Sequence, residues 1–391
     1  MKTFNISSIL MLTLLLGLPA YSRAGGLYLY ELGTEDVGLA GAGAAARAQD
    51  ASVMAANPAG LTLLSGEVLT LGVQGLYGDA HYQLNHAGQN PGNVIGWFPG
   101  ASAFYSHSVN EDLKLGLGIY GNFGLKMDFG DWAGQRALRQ STLLGMTIQP
   151  TVAYQLDEHW SLGASVMANY GVFGLSRASL QGERQLEDTD WSHSMKLGVL
   201  YQFNPDSRIG LGYTSRTRYE FDGNALASIN GGVPLRGQII APQQLMLSAY
   251  HQLNSRWAVL GNLGWQDWSA YNDNQLFLGQ AEAPLTGKMQ DTWHAALGVQ
   301  YQLSEKLRLN TGLAFDSSFY REQSNTSLTM PGGKTIRVGV GAQYALNPST
   351  SFGAAFEYAH IADSQVPGAM LGGAYPSSSL YFFTLNMNKR F

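Results

Sequence analysis

The chain has 391 residues, of which 13% are charged, with 48 Gly, 20 Tyr and no Cys. A formal net charge of -5 carries no basic excess and excludes nucleic acid as the expected partner. With no disulfide available and no run of roughly eighteen apolar residues past the amino terminus, both a disulfide-stapled fold and spanning helices are excluded.

The first element is a secretory signal peptide over residues 1–24. Lys2 supplies a positive start, Ile9 to Leu18 is apolar apart from Thr13, and Ser22-Arg23-Ala24 offers a cleavage site. Lys2 and Arg23 leave with it, so 21 of the 23 basic residues face 28 acidic ones, a net charge of -7.

Residues 25–66 form the second unit. Gly38 to Gly60 is nearly all Gly and Ala and closes on Asn57-Pro58-Ala59-Gly60. Thr34 is placed to cap a short helix, with Glu35 and Asp36 at the positive end of its dipole. Asp50 is placed to cap a second helix, which stops at Asn57 because Pro58 disfavours helical backbone before it. Gly38, Gly41 and Gly43 suit a backbone that must approach a surrounding wall closely. The expectation is a compact, partly helical hatch. The alternative, a flexible Gly/Ala linker, needs neither caps nor a proline stop.

From Glu67 to Phe391 the pattern has period two. Trp293, Ala295, Leu297, Val299, Tyr301 and Leu303 share a face, with His294, Ala296, Gly298 and Gln300 behind them. Ile336 to Leu346, Trp160 to Tyr170 and Leu307 to Phe315 repeat it over roughly ten residues each, the length of a tilted membrane strand. Tight turns at Asn110-Glu111-Asp112, Asp157-Glu158-His159, Asn204-Pro205-Asp206, Asn254-Ser255, Ser304-Glu305 and Asn347-Pro348-Ser349 alternate with longer connections near 79–97, 123–138, 177–190, 221–240, 269–289, 318–334 and 363–378. Six short and seven long returns join fourteen strands, so the fold class is all-β: a fourteen-stranded antiparallel transmembrane barrel with the hatch in its lumen. Only Gln244 to Leu253 resists, because Tyr250 and Leu253 fall on opposite faces; a bulge would repair the phase.

Fourteen strands enclose more space than side chains can fill, so the apolar face points outward and the face rich in Gly, Ser, Gln and Asn lines the lumen. Trp97, Trp132, Trp160, Trp191, Trp257, Trp265, Trp268 and Trp293 all lie in loops or near strand ends, as aromatic girdles require.

At this point the residues resemble a known family, the FadL/TodX-type outer-membrane transporters of long-chain fatty acids and aromatic hydrocarbons. The resemblance rests on the signal peptide, Asp50-Ala51-Ser52 with Asn57-Pro58-Ala59-Gly60, the fourteen strands, Gln149 to Tyr154 followed by Trp160 to Gly163, and the terminal Phe391. It implies passive uptake of a hydrophobic molecule through the outer membrane of a Gram-negative bacterium, with a hatch and a side opening at the third strand. That opening is expected around Gly116, Gly118, Gly121, Asn122, Phe123 and Gly124. The family's Pro-Phe-Gly element reads Asn122-Phe123-Gly124 here, and Asn, unlike Pro, can donate to a sheet ladder.

No catalytic chemistry is expected. His81 and His86 have no third metal ligand nearby, Ser106-His107-Ser108 on a strand is no triad, and no Gly-x-Ser-x-Gly elbow or phosphate loop occurs. Neither metal nor cofactor is expected. Among lumen-facing charges, Lys196, Arg337 and Glu357, with His294 and Asn169 as neutral neighbours, are candidates for contact with a ligand or for electrostatic pinning of the hatch through Glu31, Glu35, Asp36 and Asp50. The expected partners are a fatty acid or aromatic hydrocarbon, outer-membrane lipid and lipopolysaccharide, and the barrel assembly machinery reading Phe391; the barrel is expected to be a monomer. A structural or adhesive barrel serving as cell-surface or phage receptor is the alternative, and it has no need of a hatch.

Overall fold

The computed structural model describes residues 31–180, 182–223, 235–278, 281–283 and 288–391. The expected signal peptide, residues 25–30 of the expected hatch and parts of three long connections lie outside them.

Fourteen antiparallel strands close into a barrel. They are β1 (Glu67–Ala80), β2 (Gly96–Ser108), β3 (Leu113–Asp128), β4 (Gln140–Gln155), β5 (Trp160–Ser179), β6 (Gly182–Asn204), β7 (Ser207–Thr214), β8 (Gln244–Gln252), β9 (Trp257–Gln266), β10 (Thr292–Gln302), β11 (Leu307–Asp316), β12 (Thr335–Asn347), β13 (Thr350–Ile361) and β14 (Ser378–Arg390). Sequence neighbours pair throughout, and β14 closes on β1 from Val68↔Arg390 to Ala80↔Ser378. Closure gives every strand a neighbour on both sides, so the sheet has no end strand, as a lipid-embedded sheet requires.

The faces fall as the period-two pattern predicts. Leu297 is 75% exposed while its neighbour Ala296 is 3% exposed, so the apolar row points outward to lipid. Strand β8 needs no bulge. Its ladder to β9 runs unbroken from Gln244↔Gln266 to Gln252↔Ala258. Tyr250 faces the lumen because its ring lies under the Arg208 guanidinium, 4.0 Å from the centroid, an attraction that holds an aromatic group inside.

Two further expectations change. The long connection near 177–190 is no loop, because β5 and β6 continue as a hairpin to Ser179↔Gly182. Trp132 and Trp268 belong to no girdle; both are buried, stacked on Phe129 and Phe319 at 5.4 and 5.1 Å. Position near a strand end does not say which side of the wall a ring takes. Trp160 and Trp257 do sit outside, against Tyr201 and Tyr301 at 4.6 and 4.4 Å.

The amino-terminal segment fills the lumen from one end. Helix α1 (Thr34–Gly38) has Gly33, not Thr34, at its N-cap, and the Asp36 carboxylate accepts the Gly33 N–H at 2.9 Å. Asp50 does cap the next turn, Ala51–Ala55, accepting from Ser52 N at 2.9 Å. Asn57 ends that turn and caps a second, Pro58–Leu63, with Pro58 at the first position, where its missing N–H costs nothing. Both turns are 3-10 helices.

Candidate functional site

The wall of the barrel is broken between β2 and β3. Their ladder runs from Ser108↔Lys114 to Ser102↔Tyr120 and ends there, although β2 continues to Gly96 and β3 to Asp128. Above the last rung β2 pairs with β1 alone and β3 with β4 alone. The interval closes again at the top, where Asp128 N donates to Val94 O at 2.8 Å. Seven positions at strand rise make it roughly 20 Å long.

Local sequence accounts for the break. The β3–β4 register slips between Gly121 and Phe123, so Asn122 is the extra residue of a bulge. Before it the even-numbered Gly118 and Tyr120 face inward; after it Phe123, Leu125 and Met127 do, all buried. Gly124 then adopts φ 143, a conformation open to glycine, and a Cβ there would strike the Leu143 carbonyl. On the other side of the break β2 carries Pro99, which has no N–H to offer a ladder. Gly116 and Gly118, expected at the opening, lie in the paired half of β3. Their missing side chains make room for Met54 and Leu61 of the amino-terminal segment.

Behind the break the upper lumen is apolar. Phe98, Phe123, Leu125 and Met127 join Tyr82, Trp132, Trp268, Tyr320, Met330 and Phe382 in one buried cluster, supplied largely by the long connections. Tyr219, in the inward-folded strand Thr217–Gly223, stacks on Phe123 at 6.5 Å and on Phe221 at 6.1 Å. A cavity of about 100 Å³ opens here, with Ile95, Leu125, Trp268, Phe319 and Phe382 on its apolar side and Glu31, Asp316 and Arg337 on its polar side. Ile95 and Leu125 also border the break, so cavity and break adjoin.

The lower lumen is occupied by the amino-terminal segment. Wall glycines make the fit: a Cβ at Gly210 would strike the Ala45 carbonyl, at Gly312 the Leu39 carbonyl, and at Gly339 the Val37 carbonyl. Asn57 uses its whole amide, accepting from Ala59 N at 3.0 Å and donating to Ala45 O at 2.7 Å and to Val199 O, on β6, at 3.0 Å. Pro58 and Ala59 lie where side chains at Gly163 and Gly198 would otherwise stand, and Gly60 gives the same room to Val53. Gln149 donates to Met54 O at 2.7 Å, and Thr62 to Ser161 Oγ at 2.8 Å.

Charges meet at the junction of the two levels. Arg47 pairs with Glu35 at 2.9 Å and Asp36 at 2.7 Å, and Arg308 of β11 reaches Glu35. Burial holds the Glu35 and Asp36 carboxyls above their ordinary range, against the pull of Arg47 on both and of Arg308 on Glu35. Arg337 contacts Asp316 at 2.6 Å, Glu357 at 3.1 Å and Glu31 of the segment, while His294 lies 2.7 Å from Asp316. The structure thus brings Arg337, Glu357 and His294 together. Lys196 stands apart, its ammonium on the Ala55 carbonyl, and Asn169 is bonded to Ser194 at 2.9 Å. Of the expected residues Lys196, Arg337, Glu357, His294 and Asn169, Arg337 alone lines the cavity, beside Glu31 and Asp316.

Sequence reasoning missed the bordering pair Ile95 and Leu125, and also Tyr219 and Pro99. Pro99 was the readable signal: a proline beside the third strand, on its neighbour instead of on the strand itself.

Comparison with known proteins agrees with this architecture. The chain is 28% identical to outer membrane protein P1 of Haemophilus influenzae over 92% of this chain and 90% of that protein. It is 24% identical to the long-chain fatty acid transport protein of Escherichia coli K12, covering 91% and 92%. Among solved structures, a Pseudomonas aeruginosa FadL homologue superposes with a TM-score of 0.81 at 16% identity, covering 94% of this chain and all of that one. The toluene transporter TodX of P. putida superposes with a TM-score of 0.68 at 16% identity, over 95% and 99%. The profile of one family matches residues 16–391, and the chain belongs to it: the outer membrane protein transport protein family (OMPP1/FadL/TodX).

Proposed function

We propose that the chain is a passive outer-membrane channel for hydrophobic molecules. In this reading the amino-terminal segment is a hatch that closes the lumen, and the break between β2 and β3 is a side exit into the bilayer. The relatives named for fatty acid and toluene transport support a lipophilic cargo. Phe391, whose N–H bonds Glu67 O at 3.0 Å beside the β14–β1 seam, is the proposed mark for barrel assembly.

The observation that carries the reading is the shared position of Ile95 and Leu125, which line the cavity and border the break. A hydrophobic molecule loses about 25 cal/mol per Å² of apolar surface on moving into water, so an exit that stays apolar is favoured over one through the polar, segment-filled lower lumen. Arg337, Arg308 and Lys196 then serve to pin the hatch, through Glu31, Glu35 and the Ala55 carbonyl.

The test is native mass spectrometry of the purified protein beside uptake of a radiolabelled hydrocarbon by cells. A co-purifying apolar molecule and uptake dependent on the protein are expected, and Leu125→Asp, which puts a charge at the rim, should lower uptake at least tenfold with the barrel folded. Protein-independent uptake would overturn the reading.

A further inference from the structure

The polar side of the cavity has a charge excess of the sign opposite to the one a fatty-acid carboxylate needs. We infer that the pathway takes uncharged lipophiles of about one-ring size and rejects carboxylates at this cavity. The inference rests on the proposed transport reading and narrows it.

Arg337 is the one cation among the described residues lining the cavity. Its Nε is on Asp316, and one terminal nitrogen is shared by Glu31 and Glu357. Among the described residues, three carboxylates surround one guanidinium, and His294 lies on Asp316. With all three carboxylates ionised the cluster carries two negative charges, or one if His294 is protonated. It becomes net positive only when two carboxyls and His294 are protonated together, or when all three carboxyls are.

Glu31 and Glu357 are 3% and 0% exposed, and their carboxyls crowd against the same terminal nitrogen of Arg337. Buried carboxyls crowded on one cation disfavour a further anion beside them. Other buried cations among the described residues are engaged elsewhere: Lys196 on Ala55 O, Lys114 on Asn110 O, Arg47 on Glu35 and Asp36, Arg308 on Glu35, and Arg208 on the carbonyls of Ala46 and Arg47. A ligand carboxylate would have to displace Glu31 from Arg337, and Glu31, tethered in the same chain, competes at high effective concentration. Nothing on the opposite side objects to a neutral apolar body, since Ile95, Leu125, Trp268, Phe319, Leu380 and Phe382 form that side. The volume of about 100 Å³ is of the order of cavities that hold a benzene ring, about 150 Å³.

Equilibrium binding to the full-length protein in lipid nanodiscs, corrected with empty discs, would use 4-methylbenzyl alcohol, 4-methylbenzoate and 4-methylbenzylammonium at pH 7.5. The alcohol should bind at least tenfold more tightly than the carboxylate, and the ammonium no worse than the alcohol. Glu31→Gln combined with Glu357→Gln should bring the carboxylate to within about threefold of the alcohol. Carboxylate binding equal to or tighter than alcohol in the unaltered protein overturns the inference. So does an ammonium bound as weakly as the carboxylate, because a general penalty on charge, and not the sign of the cluster, would then set the order. The three-ligand order needs no variant and stands even if the double substitution fails to fold. No binding of any of the three, with the barrel folded, overturns the transport reading itself and this inference with it.

Discussion

Ser102 and Tyr120 form the last rung between β2 and β3. Tyr120 is fixed there by Phe104, 5.4 Å away ring to ring, and by Gln149, which accepts its hydroxyl. Two residues further on, the bulge at Asn122 reverses the phase of β3, so its apolar row turns into the lumen where the ladder to β2 has ended.

Deleting Asn122 removes the extra residue and restores one-to-one pairing with β4. Phe123, Leu125 and Met127 would keep their β4 partners and their inward faces, but without the bend of the bulge β3 would run straight on beside β2 and close the break. Hydrocarbon uptake by cells expressing the deletion should fall at least tenfold, while heat-modifiable migration on a gel shows a folded barrel. Undiminished uptake would separate the bulge from transport.

The wall glycines predict a separable hatch. Gly210→Val collides with the Ala45 carbonyl and should lift the amino-terminal segment without disturbing the outward face of β7. Planar-bilayer conductance should rise toward that of a form lacking residues 25–47. Equal, low conductance of all three folded proteins would remove the segment as the barrier.

Arg337→Met leaves three carboxylates around a missing cation. Removing one partner from a buried ion cluster costs about 3–5 kcal/mol, more than the pair itself contributes. Urea unfolding in lipid vesicles should show that loss. Glu31→Gln removes one of the surplus carboxylates and should cost less than the Arg337 change; the reverse order would refute the proposed role of Arg337 as the hub.

Asn57→Ala forfeits three hydrogen bonds, those to Ala59 N, Ala45 O and Val199 O. A loss of about 1–3 kcal/mol is expected, visible as faster protease cleavage between residues 31 and 66. Cleavage as slow as in the unaltered protein would mean Pro58 and the wall glycines suffice.

The barrel was legible because lipid imposes a two-residue period that few other forces disturb, as β10 and β12 illustrate. Strand β8 misled because Tyr250 obeys the charge of Arg208 and not the membrane. Trp132 and Trp268 misled for a related reason: a loop can carry a ring back over the rim into the lumen, and sequence distance from a strand end does not record that. In the site, Asn122 was singled out as a departure, while its consequence, the phase reversal of β3, depends on pairing with β4. The Arg337 cluster was named as separate residues on β10, β12 and β13. That β11 adds Asp316 between them follows only from the register.

The central claim is that cargo leaves through the wall above the Ser102–Tyr120 rung. Because the chain has no cysteine, Ala101→Cys with Gly121→Cys places one thiol on each strand at the next register position. A disulfide there draws the break shut from its lower edge. Uptake of a radiolabelled hydrocarbon should fall at least tenfold when the bridge is oxidised and recover on reduction; uptake indifferent to a fully formed bridge would contradict the account and send the exit elsewhere.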